Sequence, residues 1–188
     1  MTKRTFIAIH IRPEEKLLRF ILELQAGLGK SRINWVNPNT MHLTLRFFGT
    51  TSHEQIKQIL KEAPDIFGRQ KSFEIELKGL GKFGSTSNPK VLWIGFTRND
   101  ALTQLASQME EMARKIGFDG EERDFRPHLT LGRVKWLKES ETLKEKLETF
   151  HDTVFQNSVI DEVIFYESIL KPAGPVYRPI QKFSLGEQ

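Results

Sequence analysis

The tetrapeptide His-Leu-Thr-Leu occurs twice in this chain of 188 residues, at His42–Leu45 and at His128–Leu131, 86 residues apart. The same offset brings the neighbouring segments into register. The apolar run Thr5–Ile11 falls on Val91–Thr97, the helical stretch after Pro13 on the stretch after Asn99, and Phe73–Leu80 on Val159–Tyr166. A chance match of four residues would not align its surroundings. The chain therefore reads as one design used twice, over about residues 1–86 and 87–188.

Each half reads strand, helix, strand, helix, strand. In the first, Thr5–Ile11 has strand composition, and Leu17, Phe20, Ile21, Leu24 and Leu28 recur at helical spacing after Pro13. Met41–Phe48 is a strand. Ser52 with Gln55 three residues on forms the pattern of a capping box, opening a helix to about Phe67. Phe73–Leu80 alternates as a half-buried strand does. The second half predicts strands at 90–97, 125–134 and 159–166, helices at 100–116 and 138–150, and extra strands near 153–156 and 176–184. Nothing rich in Pro, Gly or Ser separates the halves. The expectation is an α+β protein with two closely packed, pseudo-symmetric lobes.

Composition excludes some chemistry. No cysteine is present, which removes disulfides, thiol catalysis and cysteine-ligated zinc. No apolar run approaches a membrane span, and the short apolar stretch after the basic Lys3-Arg4 reads as a strand, not a signal peptide. The formal charge of +4 permits an anionic partner without requiring one. Gly79-Leu80-Gly81-Lys82-Phe83-Gly84 matches the dinucleotide fingerprint by letters, but Ser85–Pro89 breaks helices where one must open, so it reads as a flexible hairpin connection. The surrounding Lys78–Lys90 holds three lysines and no acid and is a candidate contact for a phosphate backbone. Gly29-Lys30-Ser31 lacks the rest of a P-loop. The five histidines have no metal-ligand spacing, so neither metal nor cofactor is expected.

Side chains alternate along a strand, so His42 shares a face with Thr44, and His128 with Thr130, while the leucines face a core. Pseudo-symmetry sets one imidazole–hydroxyl pair against the other across a cleft. In-line phosphoryl transfer asks for a base on the attacking oxygen, an acid on the leaving oxygen, and donors to the non-bridging oxygens. Two histidines and two threonines supply these. Regular alternation also puts Arg46 and Phe48 on the His42 face and Arg126 on the His128 face. Arg133 points away unless a bulge at Gly132 turns it. Arginines here would neutralise phosphate, and Phe48, Trp35 or Tyr177 would stack on a base. Trp93 and Trp136 read as packing, His10 as a cleft or exposed residue, and His53 and His151 as surface positions near helix ends.

The motifs Met41-His42-Leu43-Thr44-Leu45-Arg46-Phe47-Phe48-Gly49 and Arg126-Pro127-His128-Leu129-Thr130-Leu131-Gly132-Arg133 resemble those of the 2H phosphoesterases. Within them the chain is similar to the RNA 2′,3′-cyclic phosphodiesterases, the LigT-like or 2′-5′ RNA ligase proteins. Arg4–Ile9, Trp35-Val36, Leu92-Trp93 and the ending Gly174–Tyr177…Phe183–Leu185 share in the resemblance. It implies a bilobal fold of two antiparallel sheet-plus-helix lobes around a central cleft. It implies metal-independent opening of 2′,3′-cyclic phosphate ends of RNA to 2′-phosphates, and in some members reversible joining of 2′-5′ linkages. On that precedent His42 is the general acid, His128 the general base, and Thr44 and Thr130 hold the phosphate. It also implies a cytoplasmic monomer acting on RNA ends or small cyclic nucleotides. Turnover of a small cyclic nucleotide or a 2′-5′ oligonucleotide, and RNA-end binding without turnover, are the competing readings.

Overall fold

The computed structural model describes residues 2–121, 124–172 and 174–186. The elements run β1 (Thr2–His10), α1 (Glu15–Gly27), β2 (Arg32–Trp35), a 3-10 turn (Pro38–Thr40), β3 (His42–Ser52), α2 (His53–Arg69), β4 (Phe73–Gly84), β5 (Pro89–Phe96), α3 (Asp100–Lys115), β6 (His128–Trp136), α4 (Ser140–Thr149), β7 (Val154–Ile160), β8 (Glu162–Lys171) and β9 (Gly174–Ser184). Two antiparallel sheets result. The first has strand order β3-β1-β8-β9, and the second β2-β6-β5-β4-β7. Helices α2 and α3 pack on the first sheet, and α1 and α4 on the second.

The sheets are not the sequence halves. β4, from the first half, lies between β5 and β7, and β8 and β9, from the second, complete the sheet begun by β1 and β3. The helices cross over as well, since α1 follows a strand of the first sheet and covers the second. The stretch 159–166 spans two strands rather than one. β7 ends at Ile160 in the second sheet, and after Asp161 the chain enters β8 of the first. Gly79–Gly84 is not a hairpin connection but the end of β4, with the turn at 85–88. Two of its glycines meet packing needs. Gly79 has φ +82° and lies against the His151 carbonyl, and a Cβ on Gly81 would sit 2.0 Å from the Trp93 ring.

Local chemistry explains the elements. Ser52 and Gln55 exchange the two bonds of a capping box at the start of α2, with Gln55 N donating to Ser52 Oγ at 3.2 Å and Ser52 N to Gln55 Oε1 at 2.9 Å. Asn99 caps α3 through Leu102 N. Ile7, Ile9 and Ile11 of β1 and the turn after it are buried toward the helices, together with Leu43, Leu45, Leu129 and Leu131. The opposite faces of the two sheets carry the histidines and threonines. Among the described residues no helix is long and apolar enough to cross a membrane.

Candidate functional site

The two motif strands begin on their histidines, and both imidazoles are fixed in the same way. His42 Nδ1 lies 2.8 Å from the carbonyl of Thr40, and His128 Nδ1 lies 2.8 Å from the carbonyl of Arg126. A carbonyl only accepts, so Nδ1 carries the proton in each ring. Nε2 is left in both as the ring nitrogen free of that bond. Thr44 and Thr130 follow at two residues and are half-buried, and among the described residues neither hydroxyl has a protein partner.

Both motif strands then break regular alternation at the same place. Along β1 and β3, Ile7 pairs with Arg46 and Ala8 with Thr44, so Leu45 is an extra residue. Along β5 and β6, Leu92 pairs with Gly132 and Trp93 with Thr130, so Leu131 is extra. A bulge of one residue moves every later side chain to the other face. Arg46 and Phe48 therefore do not share the His42 face. Arg46 is 6% exposed and turned to α3 and the segment after it, where it pairs with Glu110 at 3.2 Å and with Glu121, and donates to the Asp119 carbonyl at 2.6 Å. Phe48 is buried against Phe118 and Phe165. Phe47 takes the cleft position, beneath Arg4 and stacked with Phe6. In the second motif the bulge is at Leu131, not Gly132, and it turns Arg133 into the cleft, where its charge acts on both His42 and Tyr177 across the sheets.

Aromatic rings frame both imidazoles. Tyr177 stands edge-on to His42 with centroids 5.0 Å apart, and Phe6 lies at 5.0 Å on another side. Phe83 stands edge-on to His128 at 4.9 Å. Trp93 shares the Thr130 face and lies 5.4 Å from Phe83. The sequence reading missed Phe6, Phe47 and Phe83 because bulges and strand order, not spacing to a motif, bring them here. One signal was available, since Phe47 and Arg133 are themselves 86 residues apart. Arg126 is exposed and reaches the site through its carbonyl. Trp35 packs on the core. Trp136, expected to pack, is 52% exposed. His10 pairs with His42 across the β1–β3 ladder, while His53 opens α2 and His151 follows α4. Lys78 of the basic segment is held by Asp152 at 2.7 Å.

Burial lowers the His42 pKa below the ordinary histidine value. Its bond to the Thr40 carbonyl opposes this, and positive charge on His10, His128 and Arg133 adds to it. Burial raises the Tyr177 hydroxyl, and Arg133 and Arg4 oppose that rise. The site thus concentrates positive potential around two imidazole Nε2 atoms and two hydroxyls, a setting for an anion whose two opposite bonds exchange protons.

The comparisons agree with this architecture. A protein named RNA 2′,3′-cyclic phosphodiesterase from Methanocaldococcus jannaschii is 31% identical over 180 residues, covering 96% of this chain and 99% of that one. One of the same name from Thermotoga maritima is 34% identical over 178 residues, covering 93% and 91%. A crystal structure from Thermus thermophilus superposes with a TM-score of 0.81 at 24% identity over 98% of this chain and 99% of that one. E. coli LigT in apo form gives 0.74 at 25% identity over 98% of each. The model of the LigT like Phosphoesterase family matches twice, over residues 9–93 and 94–177, and the chain belongs to that family.

Proposed function

We propose that the chain is an RNA 2′,3′-cyclic phosphodiesterase that opens the terminal cyclic phosphate to a 2′-phosphate. The observation that carries the mechanism is the matched pair of Nδ1–carbonyl bonds, which leave Nε2 of His42 and of His128 for proton transfer. His128 Nε2 takes a proton from water as its oxygen attacks phosphorus. The bond from phosphorus to the 3′ oxygen breaks, and His42 Nε2–H protonates that oxygen. The products are a 2′-phosphate and a 3′-hydroxyl, and the two histidines return to their starting protonation through solvent. Thr44 and Thr130 donate to the non-bridging oxygens, where charge builds in the transition state.

The acid role asks for a charged His42, while its surroundings in the cleft favour the neutral form. A bound phosphodiester brings negative charge against the same imidazole and offsets the field of His10, His128 and Arg133. Substrate thus arms the acid. No step passes through a metal, and the chain works as a cytoplasmic monomer.

Turnover of an oligoribonucleotide ending in a 2′,3′-cyclic phosphate tests the proposal. His42→Ala and His128→Ala are each expected to lower kcat by about 10²- to 10⁴-fold, with EDTA harmless to the wild type. Full activity in either variant, or binding of the RNA end with no product from the wild type, would sink it.

A further inference from the structure

Beyond the catalytic residues, the cleft face of the second sheet continues along β6 and its edge partner β2. Asn34 pairs with Arg133, and Arg32 with Trp136, because Lys135 forms a second bulge in β6. Directly paired residues share a face. Arg133 pairs with Val91, two residues along β5 from Trp93, the partner of Thr130, so its face is the cleft face. Asn34 and Trp136 with Arg32 therefore lie on that same face, one after the other beyond Arg133. The intervening Ile33 and Trp35 turn the other way and pack on the core.

This strip is exposed and one-sided in charge. Arg32, Asn34, Arg133 and Trp136 are all exposed, and Trp136 at 52% has no core role. Neither β2 (RINW) nor β6 (HLTLGRVKW) contains an acid. Among the described residues, neither Arg32 nor Arg133 is held by a salt bridge. A line of guanidinium groups with an amide and an exposed indole, starting at the reacting phosphate, fits a single nucleic-acid strand. Guanidinium groups meet backbone phosphates, and the indole offers a platform to any base. From His128 to Trp136 the ladder runs roughly 20 Å, enough for a few nucleotides.

We propose that the β2–β6 edge, with Arg32 and Trp136 at its far end, is a track for the single-stranded RNA leading up to the cyclic phosphate. It makes the oligonucleotide, rather than a cyclic mononucleotide, the preferred substrate. The track rests on the function proposed above, so its test compares two substrates of one reaction. Trp136→Ala and Arg32→Ala are measured with a 2′,3′-cyclic mononucleotide and with a single-stranded oligoribonucleotide ending in the cyclic phosphate.

The expected result is a fall of about tenfold or more in kcat/KM for the oligonucleotide in each variant, the order of loss when one base-stacking platform is removed. The mononucleotide keeps its rate. Arg32→Ala also flattens the salt dependence of oligonucleotide turnover, while Trp136→Ala does not. Equal losses on both substrates, or an oligonucleotide rate unmoved by either change, overturn the track. A wild type that turns over neither substrate overturns the reaction instead. Binding of labelled oligonucleotide then judges the track alone: affinity must weaken in both variants, and unchanged affinity rejects it.

Discussion

Leu45 and Leu131 are buried core residues, and each also decides what its strand presents to the cleft. With the extra residue in place, Arg46 is an ion-pair residue and Arg133 a cleft residue, although regular alternation assigns them the reverse. Opposite phenotypes follow. Arg46→Met leaves Glu110 Oε2 and the Asp119 carbonyl without their partner and is expected to cost about 2–3 kcal/mol in denaturant unfolding, below the range for a fully enclosed pair because Glu110 keeps Arg114 on its other oxygen and Glu121 is half exposed. Its KM stays near wild type. Arg133→Gln leaves stability nearly unchanged and raises KM. It also removes a positive neighbour of His42, whose pKa then rises toward the ordinary histidine value. NMR titration of the His42 ring checks this direction, and a further drop would contradict the charge argument. The pH profile of kcat/KM reports the coupled histidine pair, not either ring alone.

At the scale of elements, β4 shows how a strand that carries no catalytic motif builds the site. Its glycines admit the His151 carbonyl and the Trp93 ring, and its Phe83 flanks His128. Gly81→Ala is expected to push the Trp93 ring aside, lowering stability by about 1–3 kcal/mol as overpacking does. It lowers kcat as well, because Trp93 stands beside Thr130 on the same face. Unchanged kcat and unchanged denaturation midpoint would separate β4 from the site. The connection between β1 and α1 is joined to β7 by one buried side chain. Gln156 Oε1 accepts from Glu14 N at 2.8 Å, and its Nε2 donates to the Arg12 carbonyl at 2.9 Å, so one amide ties the second sheet to the strand of His10.

Over the whole molecule, the two sequence halves exchange strands and helices, so neither has a complete sheet of its own. Fragments 1–86 and 87–188, made separately, are expected to lack cooperative unfolding. Their mixture is expected to regain it, since the missing neighbours of β1 and β5 are then supplied. Two independently folded halves would refute this. Stability also follows the lowered pKa values of His10 and His42, for both of which burial is the first cause. Above their ordinary value of 6.5 both states are neutral and nothing is gained. As the pH falls below it toward the folded-state values, the unfolded chain takes up protons that the native state resists, and stability declines. Denaturant midpoints on either side of that value check the sign.

The sequence by itself determined the repeat, the periodicities of the four helices, the Ser52 cap and the identity of the paired His and Thr residues. Each of these is written in neighbours a few residues apart, or in one motif copied. It did not determine which face Arg46, Phe48 and Arg133 take, that Gly79–Gly84 is strand, or that residues 159–166 belong to two sheets. Those outcomes depend on bulges and strand partners, set by packing between segments distant in the chain. Local alternation carries no record of an extra residue until the opposite strand exists to define it. The cleft, with its two Nε2 atoms and its basic edge, is therefore a product of the tertiary structure acting on a motif already legible in the sequence.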